Sequence, residues 1–429
     1  MTSEVAVLNC SGVALAADSA VTVGSQKIYN SAVKLFALSK VAPVAIMVYG
    51  NAALSRVPWE IVIKEYRRTL GDKTFPKLDD YATDFVNYIE TSKHFFDDAG
   101  ESAWLHERIQ QALNHIYTEG MEQVDRELEG KGIEKERIRD IFIEHFDRVR
   151  GAVESADSFT VPAKVLRRVT PKIKGSAERI GKYFFGEFYD EFAERISSLC
   201  IELFKRKFFP GASSGIVIAG YGEEQVFPAI KTLSFDGAVP GFARYMVDEP
   251  RTQAIDTVEM SSSIIAYAQE DMVATFMEGM NPLLRDFVEQ ELNALFTTLP
   301  EELGNVLNAT TDVKAALKVL CDNTRTGLVQ AIERHRIDEH VNPVVNMVRA
   351  LPKDELAAMA ESLVNLTAFK RRVTGSLETV GGPIDVCVIS KGDGLVWVKR
   401  KHYFPSDLNL LFQQNYLRGV DNAREKSGS

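Results

Sequence analysis

The sequence predicts an α+β protein in which a β-rich core is interrupted by two long helical insertions. Short apolar runs near both ends of the chain have the length and composition of strands. The predicted strand regions are residues 4–50, 214–235 and 384–400. In the stretches between them, apolar residues recur every three or four positions, which is typical of amphipathic helices. Because strands need partners, we expect strands from distant parts of the chain to meet in one core.

The N-terminal strands are predicted from apolar runs and the glycines that end them. Val5-Ala-Val-Leu8 and Val13-Ala-Leu-Ala-Ala17 are separated by a short segment whose Gly12 suits a hairpin turn. A further run, Val44-Ala-Ile-Met-Val48, is apolar on both faces and ends at Gly50. This run therefore predicts a buried central strand.

The helical stretches cover about 95–209 and 261–370. Proline removes a backbone donor, so we expect breaks in the second stretch at Pro282, Pro300 and Pro352. The predicted domain plan is a first core part (1–95), a helical insertion (96–210), a second core part (211–275), a second helical insertion (276–350) and a C-terminal core part with a tail (351–429).

Composition and charge restrict the class of function. The chain has 429 residues and a formal charge of −10, so it does not attract nucleic-acid backbones without a local basic patch. Its four cysteines lie far apart, which fits reduced thiols in a cytoplasm better than disulfides or a zinc ribbon. No apolar run approaches the roughly 20 residues of a membrane helix. We therefore expect a cytoplasmic protein without nucleic-acid or membrane partners.

The first residues carry the types needed for an N-terminal nucleophile. Removal of Met1 would leave Thr2 with a free α-amine, which can act as the base for its own hydroxyl. Asp18 follows the second predicted strand, and Lys34 lies where the third predicted strand begins. Lys34 therefore suits the cation of such a site, and Asp18 suits the carboxylate that holds this cation. Gly50 follows the buried strand, where its amide could approach a substrate oxygen without a Cβ in the way.

Each of these residues also has an ordinary interpretation. A threonine at position 2 is common and usually has no catalytic meaning. Asp18 at a strand end is typical of a turn cap, and Lys34 at a strand edge is typical of a solvated residue that guards the edge.

The first 60 residues resemble the start of proteasome β subunits and of the related bacterial ring protease HslV. Those proteins begin with a processed threonine and a hairpin ending in Gly-Val-x-Leu-Ala-Ala-Asp, which stands here as Gly12-Val-Ala-Leu-Ala-Ala-Asp18. A Gly–small pair, a lysine and a strand ending in glycine follow, and here these are Gly24-Ser25, Lys34 and Val48-Tyr-Gly50. The C-terminal segment Val380-Gly-Gly-Pro-Ile-Asp-Val-Cys-Val-Ile resembles the closing turn and strand of that family. Together with the strands near 215 and 226, the resemblance covers about half of the chain.

The resemblance implies an N-terminal-nucleophile hydrolase fold, a four-layer αββα sandwich, enlarged here by the two helical insertions. It implies that Thr2 is the nucleophile, that Lys34 tunes it and that Asp18 orients Lys34. It also implies that the amide of Gly50 donates to the oxyanion.

The chain departs from the family pattern at supporting positions. Where the family has Asp-x-x-Ser before Gly-Gly, this chain has Leu377-Glu-Thr-Val380. Ser376 or Thr379 could substitute through a shifted turn, and Tyr49 replaces the small residue that usually precedes the oxyanion glycine.

Three functions remain open at this stage. The leading hypothesis is a threonine peptidase that acts on peptides or unfolded proteins and forms a homo-oligomer. No Walker A motif is present, so ATP-driven unfolding would need a separate ATPase, which the helical insertions could contact. The alternatives are a catalytically inactive scaffold for assembly or partner binding, and an amide hydrolase that acts on a small molecule.

No cofactor or metal is predicted. His335 and His340 are the one closely spaced histidine pair, but their separation is not the i, i+4 spacing of a zinc helix. A basic run from Lys164 to Lys182 is read as a solvated helix face, with an acidic partner as the alternative.

Overall fold

The computed structural model describes residues 3–23, 27–92, 95–128, 132–374, 381–402, 404–405, 408–411 and 414. Its mixture of helices and sheets confirms the predicted α+β class, whereas the four-layer sandwich and the domain plan stay predictions. The backbone divides into two compact units. The first unit contains Met1–Leu35, Gln225–Ala229 and Ala254–Tyr416, and the second contains Phe36–Glu224, Ile230–Gln253 and Leu417–Ser429.

Within the described residues the strands are β1 (Ser3–Asn9), β2 (Gly12–Ala17), β3 (Val21–Val23), β4 (Lys27–Tyr29), β5 (Leu35–Ala37), β6 (Val44–Gly50), β7 (Ala53–Leu54), β8 (Val57–Pro58), β9 (Ser214–Gly220), β10 (Ala229–Val239), β11 (Phe242–Val247), β12 (Gln253–Ala254), β13 (Ser262–Ala268), β14 (Asp385–Ser390) and β15 (Gly394–Lys399). The α-helices are α1 (Trp59–Leu70), α2 (Leu78–Thr91), α3 (Asp98–Glu127), α4 (Lys135–Ser155), α5 (Ala163–Phe185), α6 (Tyr189–Lys205), α7 (Asp271–Glu278), α8 (Pro282–Val306), α9 (Thr311–Arg336), α10 (Asn342–Ala350) and α11 (Lys353–Val373). A π-helix, Ile337–Val341, connects α9 to α10.

The sheet of the first unit joins the two ends of the sequence. Its strand order is β13-β1-β2-β14-β15, and each neighbouring pair is antiparallel. The predicted strands around the first hairpin and near the C-terminus are confirmed, and β14 pairs directly with β2. Every residue of β1, β2 and β14 is buried, which explains their almost uninterrupted apolar sequences.

One face of this sheet is covered by α11. Val5 and Val7 of β1 share an apolar cluster with Leu356 and Val364 of α11. Successive side chains of a strand point to opposite faces, so the alternate residues of β1, beginning with Glu4, face away from this cluster. The face opposite α11 therefore receives Glu4, the charged residue near the start of β1.

The sheet of the second unit has the order β11-β10-β9-β6-β5, and β12 pairs with β10. The apolar run predicted as a buried strand is β6, which pairs antiparallel with β9 and places Tyr49 opposite Gly215. A Cβ at Gly215 would collide with the Tyr49 ring, so the ring occupies the space that this glycine leaves open.

Helices α3 to α6 share one apolar core in the second unit. Phe142, Phe146, Phe185 and Phe192 lie at its centre, with Phe185 and Phe192 in an edge-to-face contact at 5.7 Å between ring centroids. Their spacing along the helices places them on buried faces, and the basic residues of α5 are left at more exposed positions. The predicted helical character of this stretch is confirmed.

Two predictions about the second helical stretch are wrong. The residues from Ser262 to Ala268 form strand β13 rather than a helix, because their backbone pairs along the whole of β1 and their burial does not follow a helical period. Pro300 does not break a helix, since α8 continues through it. Pro300 is buried, and packing between α8 and α9 outweighs the backbone hydrogen bond that proline removes.

Among the described residues, no helix combines the length and the apolar character needed to cross a bilayer.

Candidate functional site

Lys34 lies buried in the first unit, immediately before β5. Its ammonium forms an ion pair with Asp18, and its Nζ lies 3.2 Å from Glu4 Oε1. All three side chains are almost fully removed from solvent. A lysine in such a position is held by carboxylates rather than by water, so the interpretation of Lys34 as a solvated edge residue is wrong.

Asp18 connects this cation to the start of β1. Its Oδ1 accepts hydrogen bonds from the Ser3 amide at 3.2 Å and from Lys34, and its Oδ2 accepts from the amides of Ala20 at 3.2 Å and Gly381 at 3.0 Å. The amide of Asp18 returns a hydrogen bond to the Ser3 carbonyl at 3.1 Å. Four donors therefore fix this carboxylate.

Thr2 is bonded covalently to Ser3, but it lies outside the described residues. Ser376 and Thr379, the suggested substitutes for the family's supporting side chains, also lie outside them. The glycine pair that follows is described from Gly381 onward, and Gly382 has a φ of 76°. A Cβ at Gly382 would lie 2.8 Å from the Asn30 Cβ, so this turn requires glycine.

Glu4 is a site residue that sequence reasoning missed. It is fully buried on the face of β1 opposite the α11 cluster, and it contacts the same ammonium as Asp18. The sequence could have indicated this role, because Glu4 is a charged residue at the start of a predicted buried strand. A buried carboxylate is rarely found without a partner for its charge.

A second buried ion pair, also missed, lies close to the first. Lys401 Nζ is 2.8 Å from Asp385 Oδ2, and the Lys401 amide donates to Asp385 Oδ1 at 2.8 Å. Burial lowers the pKa of Lys401, although the hydrogen bond to Asp385 opposes this shift, and the charge of Lys34 lowers the pKa further. The two lysines are thus electrostatically coupled, and Asp385 begins the strand that pairs with β2.

Gly50 ends β6 in the second unit with a φ of 75°, a conformation that favours glycine. A Cβ there would lie 2.6 Å from the carbonyl oxygen of Ser213, so the close approach of the neighbouring backbone also requires glycine. Its role as an oxyanion donor remains a prediction. The short strands β7 and β8 follow Gly50 before α1 begins.

The arrangement in the first unit supplies a fixed, buried cation and oriented carboxylates beside the start of a strand. Such a cation can stabilise a developing oxyanion or lower the pKa of a nearby nucleophile. In the described part of the chain, no group of three or more His, Cys, Asp or Glu side chains is arranged to hold a metal ion. His335 and His340 are in ring contact, with 6.1 Å between their centroids, and they are not part of a group of this kind.

Comparison with known proteins shows no family for this chain. No family model matches the chain, and no curated protein matches it either. Among solved structures, the chain is similar to the Anbu complex of Pseudomonas aeruginosa, described as a helical assembly, with 10% identity, 99% of this chain and 96% of that chain covered, and a TM-score of 0.32. It is also similar to Anbu (ancestral beta-subunit) from Yersinia bercovieri, with 8% identity, 99% and 96% coverage, and a TM-score of 0.29. A Gly-1 mutant of Anbu from Hyphomicrobium sp. strain MC1 gives 9% identity, 100% and 96% coverage, and a TM-score of 0.27.

These findings correct the family resemblance of the opening motif. The neighbours are Anbu proteins rather than proteasome β subunits or HslV, so the assignment to those two groups is wrong. The motif Gly12–Asp18 did not identify the family correctly, because its residues form a buried strand that ends at a carboxylate. These are features of local structure that are not restricted to one family. TM-scores below 0.5 carry no argument about the site, which therefore stands on its own geometry.

Proposed function

We propose that the chain is an N-terminal threonine hydrolase that cleaves peptide bonds after removal of Met1. The observation that carries the proposal is the double role of Asp18, which holds both the Lys34 ammonium and the Ser3 amide. The residue bonded to Ser3 is Thr2, so the candidate nucleophile is one peptide unit from the clamp that fixes the cation. An N-terminal-nucleophile fold of the αββα type is part of this proposal.

In the proposed reaction, the Thr2 hydroxyl attacks the substrate carbonyl carbon and its proton passes to the α-amine of the same residue. Lys34 favours the deprotonated oxygen through its charge, and Asp18 with Glu4 holds that ammonium in place. The Gly50 amide donates to the oxyanion of the tetrahedral intermediate. Collapse breaks the C–N bond, the amine leaves with the transferred proton, and water then hydrolyses the ester.

The proposed substrates are peptides or unfolded proteins, in a cytoplasmic homo-oligomer. An ATPase, if one acts with the chain, would be a separate protein that contacts the helical insertions.

The first test is the intact mass of the untagged protein, since retention of Met1 blocks the α-amine. Processed protein is then incubated with an epoxyketone probe, which needs both the hydroxyl and the α-amine of an N-terminal threonine. We expect labelling and peptide cleavage in the wild type, their loss in Thr2→Ala and partial retention in Thr2→Ser. The Ser11→Ala variant, in the hairpin turn, is the matched control. Retained Met1, or labelling that survives Thr2→Ala, would rule out the proposal.

A second candidate is a catalytically inactive scaffold, and the position of Glu4 favours it. Two carboxylates face one ammonium, so the positive charge available to a nucleophile is smaller than with Asp18 alone. A processed N-terminus that neither reacts with the probe nor cleaves peptides would support the scaffold.

A further inference from the structure

A buried polar cluster in the second unit is centred on Asp236 of β10. The register between β10 and β11 shifts between Phe235 and Gly237, so Asp236 is the extra residue of a β-bulge. A bulge interrupts the regular alternation of side chains and can redirect one of them. Here the Asp236 side chain contacts Arg244 of β11 and Arg108 of α3. The bulge therefore turns a carboxylate toward the helices that cover this sheet.

Arg244 is held by one oxygen of this carboxylate and by the end of α6. Its Nε donates to Asp236 Oδ2 at 2.8 Å. Its two terminal nitrogens donate to the carbonyls of Leu203 at 2.8 Å, of Phe208 at 3.0 Å and of Phe204. The guanidinium is thus satisfied without the second carboxylate oxygen, Asp236 Oδ1.

Three polar atoms around this second oxygen have no hydrogen-bond partner among the described residues, namely Asp236 Oδ1, Arg108 Nε and Trp104 Nε1. Arg108 Nε lies 3.2 Å from Asp236 Oδ1, but its N–H is not directed along this contact. The Trp104 ring lies over Gly237, where a Cβ would be 2.5 Å from Nε1. The exposed fractions are only 2% for Trp104 and 4% for Asp236, so bulk water does not serve these atoms.

The three residues line one cavity of about 30 Å³. Its other walls are largely apolar and include Leu105, Ile109 and Phe204. A water molecule needs a volume of about 10–15 Å³ and two to four polar partners, whereas a benzene ring has been bound in a cavity of about 150 Å³. This cavity therefore has room for one or two water molecules and not for a ring-sized ligand.

The charges at the cavity favour a neutral ligand that can both donate and accept. An anion would meet Asp236 Oδ1, and a cation would meet the guanidiniums of Arg108 and Arg244. Trp104 Nε1 and Arg108 Nε each need an acceptor, whereas Asp236 Oδ1 needs a donor. Water supplies both functions within a single small molecule.

We propose that this cavity binds ordered water, which accepts hydrogen bonds from Trp104 Nε1 and Arg108 Nε and donates to Asp236 Oδ1. An unpaired buried donor or acceptor generally costs more free energy than the immobilisation of one water molecule. The bound water joins α3 to β10, and the Asp236–Arg244 pair extends this connection to the end of α6. The inference does not depend on the proposed hydrolase activity.

The test looks for water at the indole N–H groups of the full-length protein by water-selective NOE and ROE spectroscopy. The chain has three tryptophans, so Trp104→Phe and Trp397→Phe assign two signals by their loss and leave the third to Trp59. We expect cross-relaxation between the Trp104 N–H and a water molecule that tumbles with the protein. The signs of the NOE and ROE peaks distinguish this contact from exchange with bulk water.

Trp59 is the internal control. Its Nε1 is also buried without a described hydrogen-bond partner, but Trp59 lies outside this cavity. Its ring packs against Phe85 and Phe235, which offer no polar partner to a water molecule. We therefore expect no long-lived water at the Trp59 N–H.

A second measurement uses Ile109→Phe, whose larger side chain should fill the cavity that Ile109 lines. The water contact of Trp104 should be lost in Ile109→Phe and retained in Ile116→Phe, a buried position two turns along α3 and outside the cavity. Circular dichroism and thermal unfolding establish that each variant is folded.

A wild type without long-lived water at Trp104 overturns the proposal, and this result does not depend on the folding of any variant. A water contact that survives in folded Ile109→Phe also overturns it. An equal contact at Trp59 would do the same, because the water would then accompany any buried indole rather than this cavity.

Discussion

The backbone amide of Ser3 donates to Asp18 Oδ1 at 3.2 Å, and the amide of Asp18 donates back to the Ser3 carbonyl at 3.1 Å. This reciprocal pair fixes the start of β1 against the end of β2. The same Asp18 carboxylate holds Lys34, so the position of the cation and the position of the chain end are set by one side chain.

Substitution of Asp18 by asparagine should reduce peptide cleavage by at least about 100-fold while the protein stays folded. Asparagine retains the shape of the side chain but lacks the charge that directs the ammonium, and misplacement of a catalytic group by 1 Å can cost about that factor. The measurement is kcat/KM with a fluorogenic peptide. Asp393→Asn, which removes the carboxylate from an exposed pair with Lys353, is the control and should change little. Equal activity in both variants would contradict the assigned role.

Substitution of Glu4 by glutamine should move the acid limb of the pH–kcat/KM profile to lower pH by about one unit. A free α-amine has a reference pKa near 8, and loss of a nearby negative charge favours its neutral form and therefore lowers its pKa. The control is Glu60→Gln, which alters an exposed i, i+4 pair with Lys64. A limb that stays in place, or moves to higher pH, would show that Glu4 does not act on the titrating base.

Substitution of Lys401 by methionine should lower the free energy of unfolding by about 3–5 kcal/mol. The change leaves the buried Asp385 carboxylate without its cation, and an uncompensated buried charge carries a penalty of that size. Chemical denaturation measures the loss, and the double variant Asp385→Asn/Lys401→Met should recover part of it. For comparison, Lys399→Met removes a more exposed pair with Glu361 and should cost no more than about 1 kcal/mol.

The stability of the α3–α6 helices should fall as the pH falls through about 6.5. Burial and the charge of Arg148 lower the pKa of His145, whose Nε2 contacts Gln123 Oε1 at 2.8 Å, although Glu119 opposes the shift. Between the lowered folded pKa and the ordinary value of 6.5, the unfolded state binds more protons, so the free energy of unfolding decreases on acidification.

Thermal unfolding at pH 7.5 and 5.5 should therefore show a smaller loss of stability in His145→Gln than in the wild type, since glutamine cannot take up the proton. His115→Gln, at an exposed position of α3, is the matched histidine control. If His145→Gln loses as much stability as the wild type over this range, His145 is not the group responsible.

Local patterns predicted much of the first unit's sheet. The strands β1, β2 and β14 are buried on both faces, so their apolar runs are visible in the sequence without knowledge of their partners. Strand β13 was missed because three of its seven residues are only partly buried and one is exposed. It is held by pairing with β1, a contact between positions far apart in the chain.

The residues of the candidate site were likewise predicted only in part. Asp18 and Lys34 were found because each lies at the end or beginning of a predicted strand. Glu4 and the Asp385–Lys401 pair were missed, since their importance depends on burial and on the distance between side chains remote in sequence. Periodicity predicts which face of an element is apolar, but it does not predict which buried charges meet.

The hydrogen bond from the Gly381 amide to Asp18 Oδ2 spans 363 residues of sequence. Ribosomes add about 5–20 residues per second, so roughly 20–70 s separate the synthesis of these two groups. The carboxylate that holds Lys34 cannot acquire its full set of donors until Gly381 has left the ribosome. A nascent chain therefore carries an incomplete set of donors around Asp18 until the segment that contains Gly381 has been synthesised and has joined the sheet.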